Sequence, residues 1–175
     1  MSLKPTHIFT LTSLFIFSIY PFFTSAQESE QDSISNPLQH FEHLIGGVWT
    51  GDNTQQIFEW GVGEKSVVSK LYFIEPDSLK LVGELIWFWH PGLKEIKGYG
   101  TSIDMAMDFF DYTTTFESPY KMVNTFIGYG GQFDGVPQLE VVEFIAEDKY
   151  KWTFYNKEGN EFHPAYSITF IRKEL

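Results

Sequence analysis

Hydrophobic and aromatic residues recur in ten short runs that begin at Gly47 and end at Arg172. The runs are rich in Val, Ile, Thr and aromatic residues, which favour strands, and clusters of Gly, Pro, Asp and Asn separate them at nearly even spacing. No long helix is predicted among them. The predicted strands are 47–51, 54–60, 65–75, 81–90, 95–103, 109–117, 122–129, 137–146, 150–156 and 162–172.

A short helix is predicted just before the first strand. Asn36 can cap a helix that starts at Pro37, and Gly46 and Gly47 would end it. Leu38, Phe41, Leu44 and Ile45 fall at helical spacing on one face. We expect this face to lie against one end of the strand assembly.

Ten strands joined by tight turns, without crossover helices, predict an all-β fold. An antiparallel up-and-down barrel is favoured because closure removes exposed strand edges. A two-layer sandwich is the rival fold. The long connections typical of Greek keys are missing, apart from the region 104–108, and this favours the barrel.

The first 26 residues have the three parts of a secretory signal peptide. A weakly basic start with Lys4 and His7 precedes an apolar stretch over 8–23, and small residues at Thr24 and Ala26 fit a cleavage site. Polar residues and Pro21 interrupt the stretch, which argues against a retained membrane helix. We expect cleavage after Ala26 and export to the periplasm or the extracellular space, with no integral membrane span in the mature protein.

The stretch 27–36 is polar and acidic, which predicts a flexible linker before a barrel domain at 37–175. The chain has no cysteine, so its fold depends on its core alone. Its formal net charge of −11 argues against nucleic acid or an anionic membrane surface as a partner.

The predicted strand 81–90 is apolar on both faces. Leu85, Trp87 and Trp89 share one face, and Ile86 and Phe88 lie on the other. A strand of this kind buries both sides, so its outer side would be covered by the N-terminal helix or by a second subunit. The pattern therefore also predicts a homodimer.

The two ends of the predicted barrel resemble the calycin superfamily. The segment Gly47-Val48-Trp49-Thr50-Gly51 follows a short helix and opens the first strand, and Arg172 lies on the last strand. The chain is similar to the lipocalin-like and nitrobindin-like members, and to bacterial exported lipocalin-like domain proteins. The resemblance implies that Trp49 closes one end of a ten-stranded barrel and that Arg172 lies across its ring.

Aromatic residues on neighbouring strands are candidates for a ligand-binding lumen, because apolar ligands bind in aromatic-lined cavities. The same side chains could instead fill a solid core, and both alternatives stay open. The candidates are Trp60, Trp87, Trp89, Tyr99, Trp152 and Phe154. A small hydrophobic molecule is the partner that they indicate, with no cofactor and no metal.

His163 supports an alternative function. The resemblance to nitrobindins implies that a histidine near the start of the last strand could ligate haem iron, and imidazole is a suitable iron ligand. The competing interpretation is a hydrogen-bonded histidine beside Pro164 at a strand end.

A second alternative is an enzyme that uses paired strand carboxylates. The acids on the predicted strands are Glu59, Glu84, Glu117, Glu140 and Glu143, and their spacing selects no pair. Phosphate-binding, nucleophile-elbow and metalloprotease motifs are missing from the sequence. The leading hypothesis is a binding protein, with no catalytic residue assigned.

Overall fold

The computed structural model describes residues 36–174, so the predicted signal peptide and all but the last residue of the predicted linker lie outside the described residues. Ten strands follow one another in chain order. They are β1 Val48–Gly51, β2 Thr54–Trp60, β3 Ser66–Ile74, β4 Leu79–His90, β5 Glu95–Ser102, β6 Phe109–Ser118, β7 Lys121–Tyr129, β8 Pro137–Ala146, β9 Lys149–Glu158 and β10 Glu161–Lys173.

Each strand pairs antiparallel with its neighbours in sequence, and β1 pairs with β10 to close the barrel. The predicted all-β, ten-stranded up-and-down barrel is therefore confirmed, and the sandwich is wrong. No helix within residues 36–174 combines the length and the apolar character needed to cross a membrane.

The N-terminal segment plugs one end of the barrel. It forms a 3-10 helix over Gln39–His43, which is shorter than the predicted stretch from Pro37 to Gly46. Leu38, Phe41 and Leu44 are almost completely buried. The Phe41 ring lies 5.5 Å from the ring of Trp87 on β4 and 5.1 Å from that of Phe116 on β6. We call this end, which also holds the turns 61–65, 91–94, 119–120 and 147–148, the plugged end.

The opposite end carries the connections 52–53, 75–78, 103–108, 130–136 and 159–160, and we call it the loop end. Ser102 and Tyr129 anchor its loops, since the Ser102 hydroxyl donates to the Met107 carbonyl and the Tyr129 carbonyl accepts from the backbone N–H of Asp108. Phe133 packs against the side chains of the adjoining core. The two ends of the barrel are therefore built differently, one from a buried apolar plug and the other from loops.

Trp49 and Arg172 join the first and last strands at the plugged end. The two residues are paired across β1 and β10, and the guanidinium carbon of Arg172 lies 4.4 Å from the centroid of the Trp49 ring. The Trp49 indole is fully buried and donates a hydrogen bond of 2.8 Å to the Leu44 carbonyl. Arg172 donates to the carbonyl of His43. One cation and one indole thus connect β1, β10 and the plug.

The glycines on either side of Trp49 allow this close approach. Gly47 adopts a φ of 69°, and a methyl group there would lie 2.9 Å from Cγ of Arg172. A methyl group on Gly51 would lie 2.6 Å from the Ile168 side chain and 2.7 Å from the Thr169 carbonyl oxygen. The Gly-x-Trp-x-Gly segment therefore fits β1 tightly against β10.

Most of β10 has only one neighbouring strand. β1 pairs only with Ile171, Arg172 and Lys173, whereas β9 pairs along nearly the whole of β10. A register shift between Pro164 and Tyr166 interrupts the pairing with β9. Within residues 36–174, no strand pairs with the other edge of the stretch 161–167.

An aromatic row runs across the outer surface of β4 to β7. The rings of Phe88, Tyr99, Phe109 and Tyr129 succeed one another at centroid distances of 6.0, 6.0 and 6.1 Å. The N-terminal segment packs at the plugged end, so it does not cover this row. The prediction that the N-terminal helix covers the outer side of β4 is therefore wrong. The alternative prediction, that a second subunit covers it, stays a prediction.

We expect Trp49→Phe to lower the free energy of unfolding by about 2 to 4 kcal/mol, because it leaves a void and deprives the Leu44 carbonyl of its donor. Trp89→Phe is the matched control, since Trp89 is 36% exposed, and should cost less than about 1 kcal/mol. Urea unfolding measures both values. Equal losses in the two variants would contradict the role assigned to Trp49.

Candidate binding cavity

The barrel encloses a cavity of about 450 Å³ that reaches the loop end. It lies between two clusters of buried side chains, one around the plug and Trp49, the other formed by Met107, Phe110, Tyr112 and Phe126. Leu85 packs against both clusters, which places it midway along the barrel, at what we call the waist. The interior is therefore only partly filled by its own side chains.

Alternation along the strands determines which residues line the cavity. Thr54, Gln56 and Phe58 project inward from β2, and Gly83, Leu85 and Trp87 face inward on β4. Further apolar lining residues are Leu71, Phe73, Met107, Phe110, Tyr112, Met122, Phe126, Val142, Trp152, Phe154, Ile168 and Phe170.

Three of the predicted lumen residues line the cavity, namely Trp87, Trp152 and Phe154. Trp60 instead packs on the core near the plugged end. Trp89 lies beside the β4–β5 turn, where the barrel ends, and is partly exposed. Tyr99 belongs to the outer aromatic row, because the inward positions of β5 are 96, 98, 100 and 102. The lumen positions predicted for Trp60, Trp89 and Tyr99 are corrected accordingly.

His163 lies outside the cavity. Its side chain is 51% exposed, and its Nε2 is 3.8 Å from a carboxylate oxygen of Glu161. Among the described residues, no histidine lines the cavity. The residues present therefore do not fit a haem held in the barrel by His163. Residues 36–174 also contain no group of three His, Cys, Asp or Glu side chains that could hold a metal ion.

The loop 103–108 supplies lining residues that the sequence patterns do not select. Met105, Ala106 and Met107 lie over the loop end of the cavity, and Met107 is buried against Gly128. The short apolar run between two aspartates is the signal that could have identified them. Methionine side chains adapt to irregular shapes, which suits an adaptable wall.

Trp87 projects into the centre of the barrel because its cross-strand partner is a glycine. Gly98 pairs with Trp87, and a methyl group there would lie 2.7 Å from Cδ1 and 2.9 Å from Nε1 of the indole. The ring packs between Phe41, Phe58 and Tyr112. Its Nε1 has no hydrogen-bond partner within the described part of the chain.

Among the residues that the structure describes, one carboxyl group lines the otherwise largely apolar cavity. Glu140 is 8% exposed and faces inward from β8, between the buried residues Gln138 and Val142. Asn124 Nδ2 donates to its Oε1 at 2.7 Å, and Trp152 Nε1 donates to its Oε2 at 3.0 Å. The other four predicted strand acids are exposed, namely Glu59, Glu84, Glu117 and Glu143.

Burial raises the pKa of Glu140 above its ordinary value of 4.5, and the hydrogen bonds from Asn124 and Trp152 oppose this rise. Burial likewise raises the pKa values of Tyr112 and Tyr150 well above 10.0, and the nearby Glu140 carboxylate adds to that rise. These phenols stay protonated at neutral pH. Among the described residues that line the cavity, Glu140 is therefore the side chain that can carry a charge at neutral pH.

No protein-family model and no curated protein matches the chain. Among solved structures, it is similar to one described as "Structure of EF1p2_mFAP2b bound to DFHBI", with 11% identity and a TM-score of 0.32. The match covers 78% of this chain and 99% of the other. The fold is therefore defined by the strand pairing of this chain. The cavity is defined by the side chains that line it.

Glu140→Gln should change how stability depends on pH. The folded protein holds the Glu140 proton more tightly than the unfolded chain does. This tighter proton binding therefore stabilises the folded state fully below the unfolded pKa of about 4.5. The stabilisation is lost as the pH rises through the folded pKa of Glu140. The variant should gain stability relative to the wild type as the pH rises through this window. Urea unfolding across the range measures the difference, and parallel curves would contradict the shift.

We expect Gly98→Ala to destabilise the barrel by about 1 to 3 kcal/mol, because the added methyl group displaces the Trp87 indole. Gly83→Ala is the matched control, since Gly83 also lines the cavity but its nearest contact would be at 3.6 Å. Thermal unfolding compares the two variants. An equal effect of both substitutions would show that the approach of Trp87 to Gly98 is not tight.

Proposed function

We propose that the chain is an exported lipocalin-like barrel that binds one small hydrophobic molecule in its lumen. The observation that carries this proposal is the cavity of about 450 Å³, lined mainly by apolar side chains in a closed barrel. Small-molecule sites typically measure about 300 to 1,000 Å³ and combine apolar walls with a few polar groups. The cavity has both properties.

The distribution of apolar side chains supports a ligand-binding cavity rather than a packing defect in the core. Protein interiors are close-packed, and voids larger than a water molecule are few. The plugged end follows this rule, with Leu38, Phe41, Leu44 and Trp49 almost inaccessible to solvent. The cavity instead reaches the loop end, where the exposed residues 105 and 106 lie at its edge. We place the entrance for a ligand beside these two residues.

The geometry favours binding over the enzyme alternative. Acid–base catalysis by two carboxylates needs both groups near the substrate. Among the described residues, only Glu140 brings a carboxyl group to the cavity lining. We therefore assign no catalytic residue.

The proposal includes membership of the calycin superfamily and export with cleavage after Ala26, leaving a linker at 27–36 and the barrel domain at 37–175. The contact between Trp49 and Arg172, together with the Gly47 and Gly51 positions beside it, supports the family assignment. The signal-peptide pattern of residues 1–26 supports export.

The binding proposal is tested with diphenylhexatriene, a neutral hydrocarbon that fluoresces strongly only when it leaves water. The wild type should bind it, and Leu85→Trp should weaken binding at least about tenfold, because the indole fills the waist of the cavity. Ile86→Trp is the control, since Ile86 is the next residue on β4 and is exposed. Fluorescence titration measures both.

The result would contradict the proposal if the wild type gave no enhancement, or if the two Trp variants bound the probe equally well. Circular dichroism of both variants establishes that the barrel is intact.

A further inference from the structure

Glu140 is an acid at a position where an apolar side chain would be expected. It lies opposite Asn124 on β7 and Phe154 on β9, and its carboxyl group contributes to the cavity wall. Its inward neighbours on β8 are buried as well. The carboxyl group is therefore largely cut off from bulk water and adjoins the space proposed for a ligand.

The hydrogen bonds around Glu140 prepare it as an acceptor. Thr114 Oγ1 donates to Asn124 Oδ1 at 2.5 Å, which orients the amide so that its Nδ2 faces Glu140. Trp152 supplies the second donor from β9. Both carboxyl oxygens accept from neutral N–H groups, an arrangement that favours the ionised form.

Neutral donors compensate a buried carboxylate only in part, and the described chain provides no cation for it. Its ion pairs are Lys80–Asp104, Lys97–Asp111, Lys121–Glu117 and His163–Glu161. None of them involves Glu140, and among the described residues no basic side chain lines the cavity. A buried charge without a partner is costly, so a counter-charge in the cavity would be strongly favoured.

The aromatic wall suits the same kind of ligand. Trp152 and Phe154 lie beside Glu140 and line the cavity together with Tyr112 and Phe126. The faces of aromatic rings attract cations. The net charge of −11 also raises the local concentration of cations near the protein. An ammonium group with an apolar body therefore complements both the carboxylate and the walls.

We infer that the cavity binds an amphipathic amine, whose ammonium group pairs with the carboxylate of Glu140 while its apolar part lies among the aromatic side chains. This inference rests on the proposed function, because it names the ligand class of the same cavity. A protonated Glu140 that donates a hydrogen bond to a neutral ligand is the competing chemistry.

The experiment displaces bound diphenylhexatriene with decylamine, decan-1-ol or decanoate, which share a chain length and differ in their polar group. The wild type should release the probe at an amine concentration at least about tenfold below that of the alcohol, and decanoate should be the weakest competitor, because a buried carboxylate attracts a cation and repels an anion. Glu140→Gln should reduce the preference for amine over alcohol to about twofold or less, because it removes that charge.

Glu140→Gln is a conservative change. Rotation of the Asn124 amide lets the introduced glutamine side chain donate to Asn124 while it still accepts from Trp152. Circular dichroism of this variant establishes that its barrel is intact. Glu143→Gln is the matched control, since Glu143 lies on the same strand, is exposed, and is also a glutamate. It should keep the full preference for the amine.

Each other outcome has a distinct meaning. Probe binding with equal competition by amine and alcohol overturns the inference and leaves the proposed function standing. A preference for the amine that persists in Glu140→Gln, or that Glu143→Gln also removes, overturns it as well, because general surface charge then explains the preference. Failure of the wild type to bind the probe contradicts the proposed function itself.

Discussion

The barrel closes through its shortest strand, and the remaining architecture depends on that closure. β1 has four residues, yet it bridges β10 and β2 and brings Trp49 into the core. So short a ladder provides few hydrogen bonds. The buried indole, the guanidinium group above it and the two close-fitting glycines supply the contacts that the ladder lacks. Without this junction the chain would be an open, curled sheet with two exposed edges.

The plugged end and the loop end of the barrel interior differ in function. Near the plug, Phe41, Trp49 and Tyr150 are almost fully buried, and this region holds the barrel together. Toward the loop end Phe110, Tyr112 and Phe126 form a second, smaller cluster, and the cavity lies between the two clusters. A polar network crosses four strands there, so the cavity wall is fixed by directional bonds as well as by apolar contacts. Its members are Thr114, Asn124, Glu140 and Trp152.

Much of the fold could be predicted because strand patterns and turn residues are local signals. The predicted strand boundaries differ from those observed by at most two residues, and the meander follows from the even spacing of the turns. The site was harder to predict, because each strand needs its register before inward and outward faces can be told apart. Tyr99 illustrates this, since its strand has glycines on the inward face and the aromatic residue therefore lies outside. Glu140 could be identified only as one of five strand acids, because its burial depends on partners from β7 and β9 that are distant in sequence.

The unpaired edge of β10 has a consequence for the behaviour of the protein at high concentration. A free strand edge can recruit a strand of another molecule and start aggregation. Here that stretch contains Pro164, which has no backbone N–H to offer, and the register shift beside it makes the strand irregular. Glu161 adds an exposed negative charge at its start. The features that make this edge irregular therefore also protect it. The barrel can leave part of the β10 edge unpaired without promoting strand pairing with another molecule.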